Sequence, residues 1–355
     1  MNFKDVIATV TKQYHNRKPF VLYALPESHL VLGSLQNDDQ CYELTDSLQK
    51  GFIFAPFNSE EKKICIPEVA ATQIQANYEA SEIPIEHFSP PFSEAEKERH
   101  IELVEAARKS ISRGVTSKIV ASRSKRVPLN GVDLEILSNR LFNLYPRAFR
   151  YIWYHPSTGL WCGATPEVLA SIHGTSFTTM ALAGTRKQKE GVYESWTHKE
   201  RDEQQLVTDD IIDKLKTVAS TIDISNTYDH IAGTLVHLRT DIYGKINTEE
   251  ANLQTLANVL HPTPAICGLP QKDAQAFLLK EENYEREFYT GFLGYVRASE
   301  THSTLFVNLR CMKIENGSAH IYVGGGITQE SVAESEWEET QNKMQTMLQV
   351  LWPLL

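Results

Sequence analysis

The chain has 355 residues, 41% hydrophobic and 23% charged, with a formal net charge of −10 at pH 7. This is ordinary globular composition, which excludes a disordered chain, and an acidic balance with no basic stripe excludes a nucleic-acid binder, which needs cations to displace phosphate counterions. Cys41, Cys65, Cys162, Cys267 and Cys311 are scattered and form no Cys-x-x-Cys pair, so neither a disulfide framework nor a zinc ribbon is indicated, and a reducing cytoplasm fits.

The N-terminal MNFKDVIATVTKQYHNRKPF is too polar for a signal peptide, and no later stretch approaches the roughly 20 apolar residues of a membrane span. Residues 1–92 read as short strands, such as GFIFAPF (51–57), between polar turns, and carry no functional signal. Ser93 followed by Glu96 is a capping-box pattern. Ile101, Val104, Ala107, Ser110 and Ile111 then recur at helical spacing until Gly114, which predicts a long amphipathic helix. SKIVASRSKRV (117–127), FRYIWYHP (149–156), GLWCGATPEVLASIHG (159–174) and SFTTMALAG (176–184) read as antiparallel strands. A second helix is predicted over 196–218 and a last one over about 335–351. Between them, Asn316-Gly317 marks a hairpin turn inside 305–327. There is no repeat and no linker after residue 92. The expectation is one α+β domain, mostly antiparallel sheets flanked by helices, with 1–92 built into it and 93–355 carrying the functional residues.

Several polar residues sit where a core pattern leads. Stepping back four residues from Val207 in the stripe Val207, Ile211, Leu215 and Val218 lands on Glu203, which is either solvated beyond the core edge or turned toward a site. In the last helix Glu336, Glu339 and Lys343 share a face beside the core face of Trp337, Met344, Leu348 and Leu351, either as a solvated stripe or as ligands. No histidine spacing suits zinc, so carboxylates on two helices point to Mg²⁺ if any metal is bound. Lys118 opens one apolar strand, Arg310 interrupts another, and Glu167 follows Pro166. The run Gly324-Gly325-Gly326 after a strand is read as a tight turn, since it does not make a nucleotide-binding Gly-x-Gly-x-x-Gly motif.

In order and spacing, SKIVASR (117–123), GATPEVL (163–169), ALAGTR (181–186), KERDEQQLV (199–207), LHPTPAICGLP (260–270), EREFYTGFLGY (285–295), VNLRCMKI (307–314), YVGGGIT (322–328) and ESEWEETQNKMQTML (334–348) together resemble the chorismate-utilising enzymes. That family includes isochorismate, salicylate and anthranilate synthases, and the resemblance spans roughly the last two-thirds of the chain. It implies a chorismate-binding α/β sandwich, Mg²⁺ as cofactor and chorismate as substrate.

By that resemblance Lys118 is the base that activates water, where anthranilate synthases have glutamine, and Glu167 is the acid for the leaving hydroxyl. Glu203 and Glu339 hold the metal, with Glu336 acting through water. Gly184, Thr185, Arg310, Gly324 and Lys343 hold substrate carboxylate, and Ala265 and Ile266 shape the ring pocket. Tyr289, Leu309 and Tyr322 join Ala265 and Ile266 in setting the product. Pro264-Ala265-Ile266-Cys267 lacks the lysine that aminodeoxychorismate synthases use covalently. Gln204 departs from the histidine of several relatives. The implied reaction is reversible isomerisation of chorismate to isochorismate by a cytoplasmic monomer. Its alternatives are a salicylate synthase and a non-catalytic chorismate-binding homologue. A stand-alone chain points to menaquinone rather than siderophore biosynthesis.

Overall fold

A computed structural model of the chain describes residues 1–45, 50–85, 90–187, 195–232, 235–247, 252–297 and 302–355. From the N-terminus the elements are α1 (Phe3–His15), β1 (Phe20–Ala24), β2 (Leu30–Gln36), β3 (Tyr42–Glu43), β4 (Gly51–Ala55), β5 (Ile64–Pro67) and β6 (Ala71–Asn77). There follow α2 (Glu94–Ser112), β7 (Lys118–Pro128), α3 (Leu134–Leu144), β8 (Phe149–His155), β9 (Gly159–Thr165), β10 (Val168–His173), β11 (Ser176–Lys187) and α4 (His198–Leu215). Next come β12 (Ala219–Ile224), β13 (Tyr228–Ala232), β14 (Leu235–Ile246), α5 (Leu253–Leu260), β15 (Gly268–Leu269) and α6 (Gln271–Glu281). The last are β16 (Phe292–Val296), β17 (Ser303–Val307), β18 (Cys311–Glu315), β19 (Ser318–Ile327) and α7 (Ala333–Leu351).

The strands form two antiparallel sheets. The first has the order β15-β7-β19-β18-β9-β8-β1-β2-β6, and the second β12-β14-β11-β10-β17-β16-β4-β5-β3, with β13 also on β14. Strands from residues 1–92 therefore pair into both sheets.

Successive side chains of a strand point to opposite faces, and β1 shows what that does here. Val21 and Tyr23 join Phe52, Phe54, Phe149, Trp153, Trp161 and Phe306 between the sheets, while Phe20, Leu22 and Ala24 turn outward under α1, α3 and α7. The inner layer is aromatic, with Phe149 stacked on Phe306 from the facing sheet at 4.3 Å. On the outer face of the second sheet, Val207, Ile211 and Leu215 of α4 pack with Leu256 and Leu260 of α5. The result is helices, sheet, sheet, helices, the α+β sandwich expected from sequence. Among the described residues no helix is long and apolar enough to cross a membrane.

Three local expectations are corrected. Residues 3–15, read as part of a strand region, form α1, started by an Asn2–Asp5 capping box. The second helix is shorter than 196–218, since Thr197 caps it and it ends at Leu215. The glycine run lies inside β19 rather than in a turn. The capping box at Ser93 and Glu96 and the Asn316-Gly317 hairpin are as expected.

Candidate active site

Two adjacent crossings of the chain between the sheets place the site. β9 belongs to the first sheet and β10 to the second, so the chain changes sheet at Pro166 and Glu167. It returns beside that point, where β17 ends at Val307 and β18 begins at Cys311, with Arg310 between them. The crossings are tied together. The Val307 amide donates to the Glu167 carbonyl at 3.0 Å, the Ala164 amide to the Arg310 carbonyl at 3.0 Å, and Thr165 Oγ1 to the Val307 carbonyl at 2.6 Å.

Glu167 has intermediate exposure, yet protein surrounds its carboxyl, as for a group lining a cleft. Loss of bulk water raises its pKa to about 7, against the opposing pull of Lys118 and Lys343. Arg310 has a left-handed backbone with φ of 47°, and its Nη1 donates to Thr346 Oγ1 of α7 at 3.0 Å.

Lys118 is buried at the start of β7, and its Nζ donates to Glu203 Oε1 at 2.8 Å. Glu203 stands one turn before Val207 on α4, and its side chain is 21% exposed. Glu203 is therefore not solvated beyond the core edge but turned toward Lys118. Because α4 covers the second sheet and β7 lies in the first, this ion pair spans the seam between them. Gln204 points elsewhere: its Nε2 donates to the Ala181 carbonyl and to Thr240 Oγ1, both at 3.0 Å, inside the second sheet.

From α7, Lys343 Nζ donates to the Gly324 carbonyl at 2.7 Å and pairs with Glu339 Oε1 at 2.6 Å. A Cβ on Gly325 would lie 3.0 Å from Glu336 Oε2 and 3.7 Å from Glu339 Oε1, and one on Gly326 would lie 3.2 Å from Lys118 Cε. Bare backbone in β19 thus admits the carboxylates of α7 on one residue and the lysine of β7 on the next. Burial raises the Glu336 pKa, opposed by a hydrogen bond to Ser331 and reinforced by Glu339.

Glu336 and Glu339 border the side-chain-free backbone, Glu203 meets the lysine beside it, and three carboxylates suit a hard divalent cation by charge and ligand type. Among the described residues no three histidine, cysteine, aspartate or glutamate side chains close around one point. Instead Lys118 and Lys343 balance the charges of Glu203 and Glu339. The donor set fits such an ion in kind.

The other expected residues divide. Gly184, with φ of 61°, accepts from His237 Nδ1 at 3.0 Å. His237 was not singled out from sequence, where one histidine in a strand gives no signal. Burial lowers its pKa, and the charge of Lys343 acts in the same direction. The Thr185 side chain lies outside the described residues. Ile266 turns its side chain into the core under α4 and α5, so its contribution beside Ala265 is backbone. A Cβ on Gly324 would meet Tyr289 Oη at 3.1 Å. Tyr322 stacks between Tyr289 and Trp161 at 5.4 and 5.3 Å, inside the sandwich. Sequence reasoning also passed over Glu282 and Arg286, a buried i, i+4 pair whose opposite charges were the available signal.

Comparison with known proteins bears on family and fold. The chain is 32% identical over 243 residues to the isochorismate synthase EntC of Escherichia coli (strain K12), covering 66% of this chain and 62% of that protein's length. Its fold matches the structure of DhbC from Bacillus anthracis with a TM-score of 0.78 at 22% identity, over 98% of this chain and 99% of that one. It matches MenF, the menaquinone-specific isochorismate synthase from Escherichia coli, with a TM-score of 0.77 at 21% identity, over 94% and 88% of the two chains. Residues 53–352 match the chorismate binding enzyme family, and the chain belongs to that family.

Proposed function

We propose that the protein is an isochorismate synthase, adding water at C2 of chorismate while the C4 hydroxyl departs. The observation that carries this reading is Glu167, a carboxyl whose pKa is raised to about 7 in the field of two lysines, one of which is Lys118. An acid that holds its proton near neutral pH beside a basic side chain is the arrangement this double proton transfer requires.

The Lys118 amine takes a proton from the incoming water as its oxygen bonds to C2. The double bond shifts, and Glu167 gives its proton to the departing C4 oxygen, which leaves as water. One proton is taken and one given, and solvent exchange resets both residues. One C–O bond replaces another, so the equilibrium lies near unity. The Glu203 carboxylate, which accepts a hydrogen bond from Nζ, orients the Lys118 nitrogen.

Arg310 and Lys343 are the cations for substrate carboxylate, the arginine through its planar fork, with backbone at Gly184, Thr185 and Gly324 beside them and Ala265 at the ring. Glu203, Glu336 and Glu339 would hold Mg²⁺, which when bound supplies countercharge and polarises a carboxylate. Lysine at position 118 favours water over ammonia as nucleophile, and the absence of lysine from 264–267 removes the covalent route. A monomer in the cytoplasm completes the reading.

The test is chromatography of purified protein with chorismate and Mg²⁺ at successive times, and again starting from isochorismate. A mixture reached from both directions supports the reading. Salicylate and pyruvate accumulating until substrate is exhausted would make it a salicylate synthase, and no turnover would make it a binding protein.

A further inference from the structure

Glu282 caps the C-terminal end of α6, and Arg286 lies four residues further on, outside the helix, both buried. Arg286 Nε donates to Glu282 Oε2 at 2.6 Å and Nη2 to Glu282 Oε1 at 2.6 Å. Nη2 also donates to the Val120 carbonyl at 2.6 Å, and Nη1 to the Ile266 carbonyl at 2.9 Å and Thr290 Oγ1 at 3.2 Å. These contacts use all of the guanidinium's N–H donors, and Phe57 lies over its face at 4.4 Å. Glu282 Oε1 in turn accepts from the Ser122 amide at 2.8 Å and from Ser122 Oγ at 2.7 Å.

The placement of those contacts is informative. On the β15 side of β7, backbone pairing covers Lys118 and Ile119 and ends with the Val120 amide donating to the Cys267 carbonyl at 2.9 Å. The next groups along that edge, the Val120 carbonyl and the Ser122 amide, are taken by Arg286 and Glu282. The ion pair therefore continues the sheet where the strand stops. Ser122 pairs across β7 with Gly324, whose carbonyl holds Lys343. On either side of Arg286 the backbone is held in left-handed conformations, at Asn283 before it and at Glu287 and Thr290 after it, with φ of 56°, 47° and 60°. For β-branched Thr290 this is a strained state that persists only where surroundings enforce it, and such strain concentrates at functional sites.

We infer that Arg286 and Glu282 are positioning residues, a side-chain splice that fixes the strand bearing Lys118 against the 263–267 segment and Tyr289. The inference rests on the reading of Lys118 as the base. Loss of the splice leaves the substrate-binding cations in place and lets the Lys118 end of β7 shift. The signature is a fall in kcat with little change in KM.

The test compares steady-state kinetics and thermal melting of R286K, E282Q and S122A with L141A, which removes core volume beneath α3. R286K keeps the charge but loses the fork, and its kcat falls about 100-fold while KM for chorismate stays within about threefold. E282Q follows in the same direction, and S122A, which removes the hydroxyl contacts to Glu282 and Tyr284 but keeps the Ser122 amide bond to Glu282, shows a smaller loss with the same split. L141A melts lower yet keeps its kcat at temperatures where it is folded. If R286K does not fold, the E282Q and S122A kinetics decide. Variants that are folded and keep wild-type kcat, or lose activity only as their melting falls, overturn the inference. A wild-type protein inert toward chorismate overturns the functional reading on which it rests.

Discussion

Lys118 Nζ and Glu203 Oε1 meet at 2.8 Å although the residues are 85 positions apart in the chain. They join a strand of the first sheet to the helix covering the second. Replacing Lys118 by alanine removes the proposed base and leaves β7 its backbone pairing to β15 and β19. Turnover falls by at least the ~10²-fold typical of a missing general base, with unchanged circular dichroism. A K118A protein that isomerises chorismate at the wild-type rate would take Lys118 out of the mechanism.

Glu339 is engaged by Lys343, which also holds the Gly324 carbonyl. E339Q preserves size and removes the anion, so the proposed Mg²⁺ site loses a charged ligand. We expect calorimetric Mg²⁺ binding to disappear and activity to stop responding to added Mg²⁺, with melting little changed. Retained Mg²⁺ affinity in this variant would exclude Glu339 as a ligand.

Glu167 gives a pH prediction with a definite sign. Its pKa rises from the ordinary 4.5 to about 7 in the folded protein. The fold thus prefers the protonated form, and this contribution to stability is fully present below the unfolded value and lost as pH rises through about 7. E167Q mimics the protonated form permanently. Its melting temperature should match the wild type near about pH 5 and exceed it near about pH 8. Its kcat should fall by about 10²-fold, and the decline of wild-type kcat above neutral pH should vanish with it. Equal melting at both pH values would show that Glu167 is not held protonated.

Gly325 supplies a test of the glycine run. A Cβ there meets Glu336 Oε2 at 3.0 Å, so G325A displaces that carboxylate while β19 keeps its pairing. The Mg²⁺ concentration for half-maximal activity should rise by about tenfold, the scale seen when a ligand's support is disturbed, with only a small change in melting. An unchanged Mg²⁺ response would mean that Glu336 has room to move or does not take part.

The sequence exposed what is periodic. The capping box at Ser93, the Val207 stripe and the Asn316-Gly317 turn are local patterns, and each marks a real element, though α4 stops at Leu215, short of Val218. The sheet changes at Pro166–Glu167 and around Arg310 were not legible, because 159–174 and 305–314 read as continuous apolar runs on either side of them. A strand that leaves one sheet for another keeps its composition, and only pairing shows the break. For the same reason Glu167 looked unremarkable until the crossings met. The Arg286 splice showed in the sequence only as opposite charges four residues apart, because the groups it holds on the neighbouring segments, the Val120 and Ile266 carbonyls and the Ser122 amide, are backbone and carry no residue signature.

The pairing of β7 with β19, from Ile119 opposite Ile327 to Pro128 opposite Ser318, bears on how the protein is made. At about 5–20 residues per second the ribosome needs roughly 10–40 seconds to cover the roughly 200 residues between these partners. Throughout that interval the strand that begins with Lys118 has its long edge bare, and exposed edges recruit other chains. Shielding of nascent chains therefore bears on yield in a production host, and slower growth at low temperature or a co-expressed holding chaperone is expected to raise the soluble fraction.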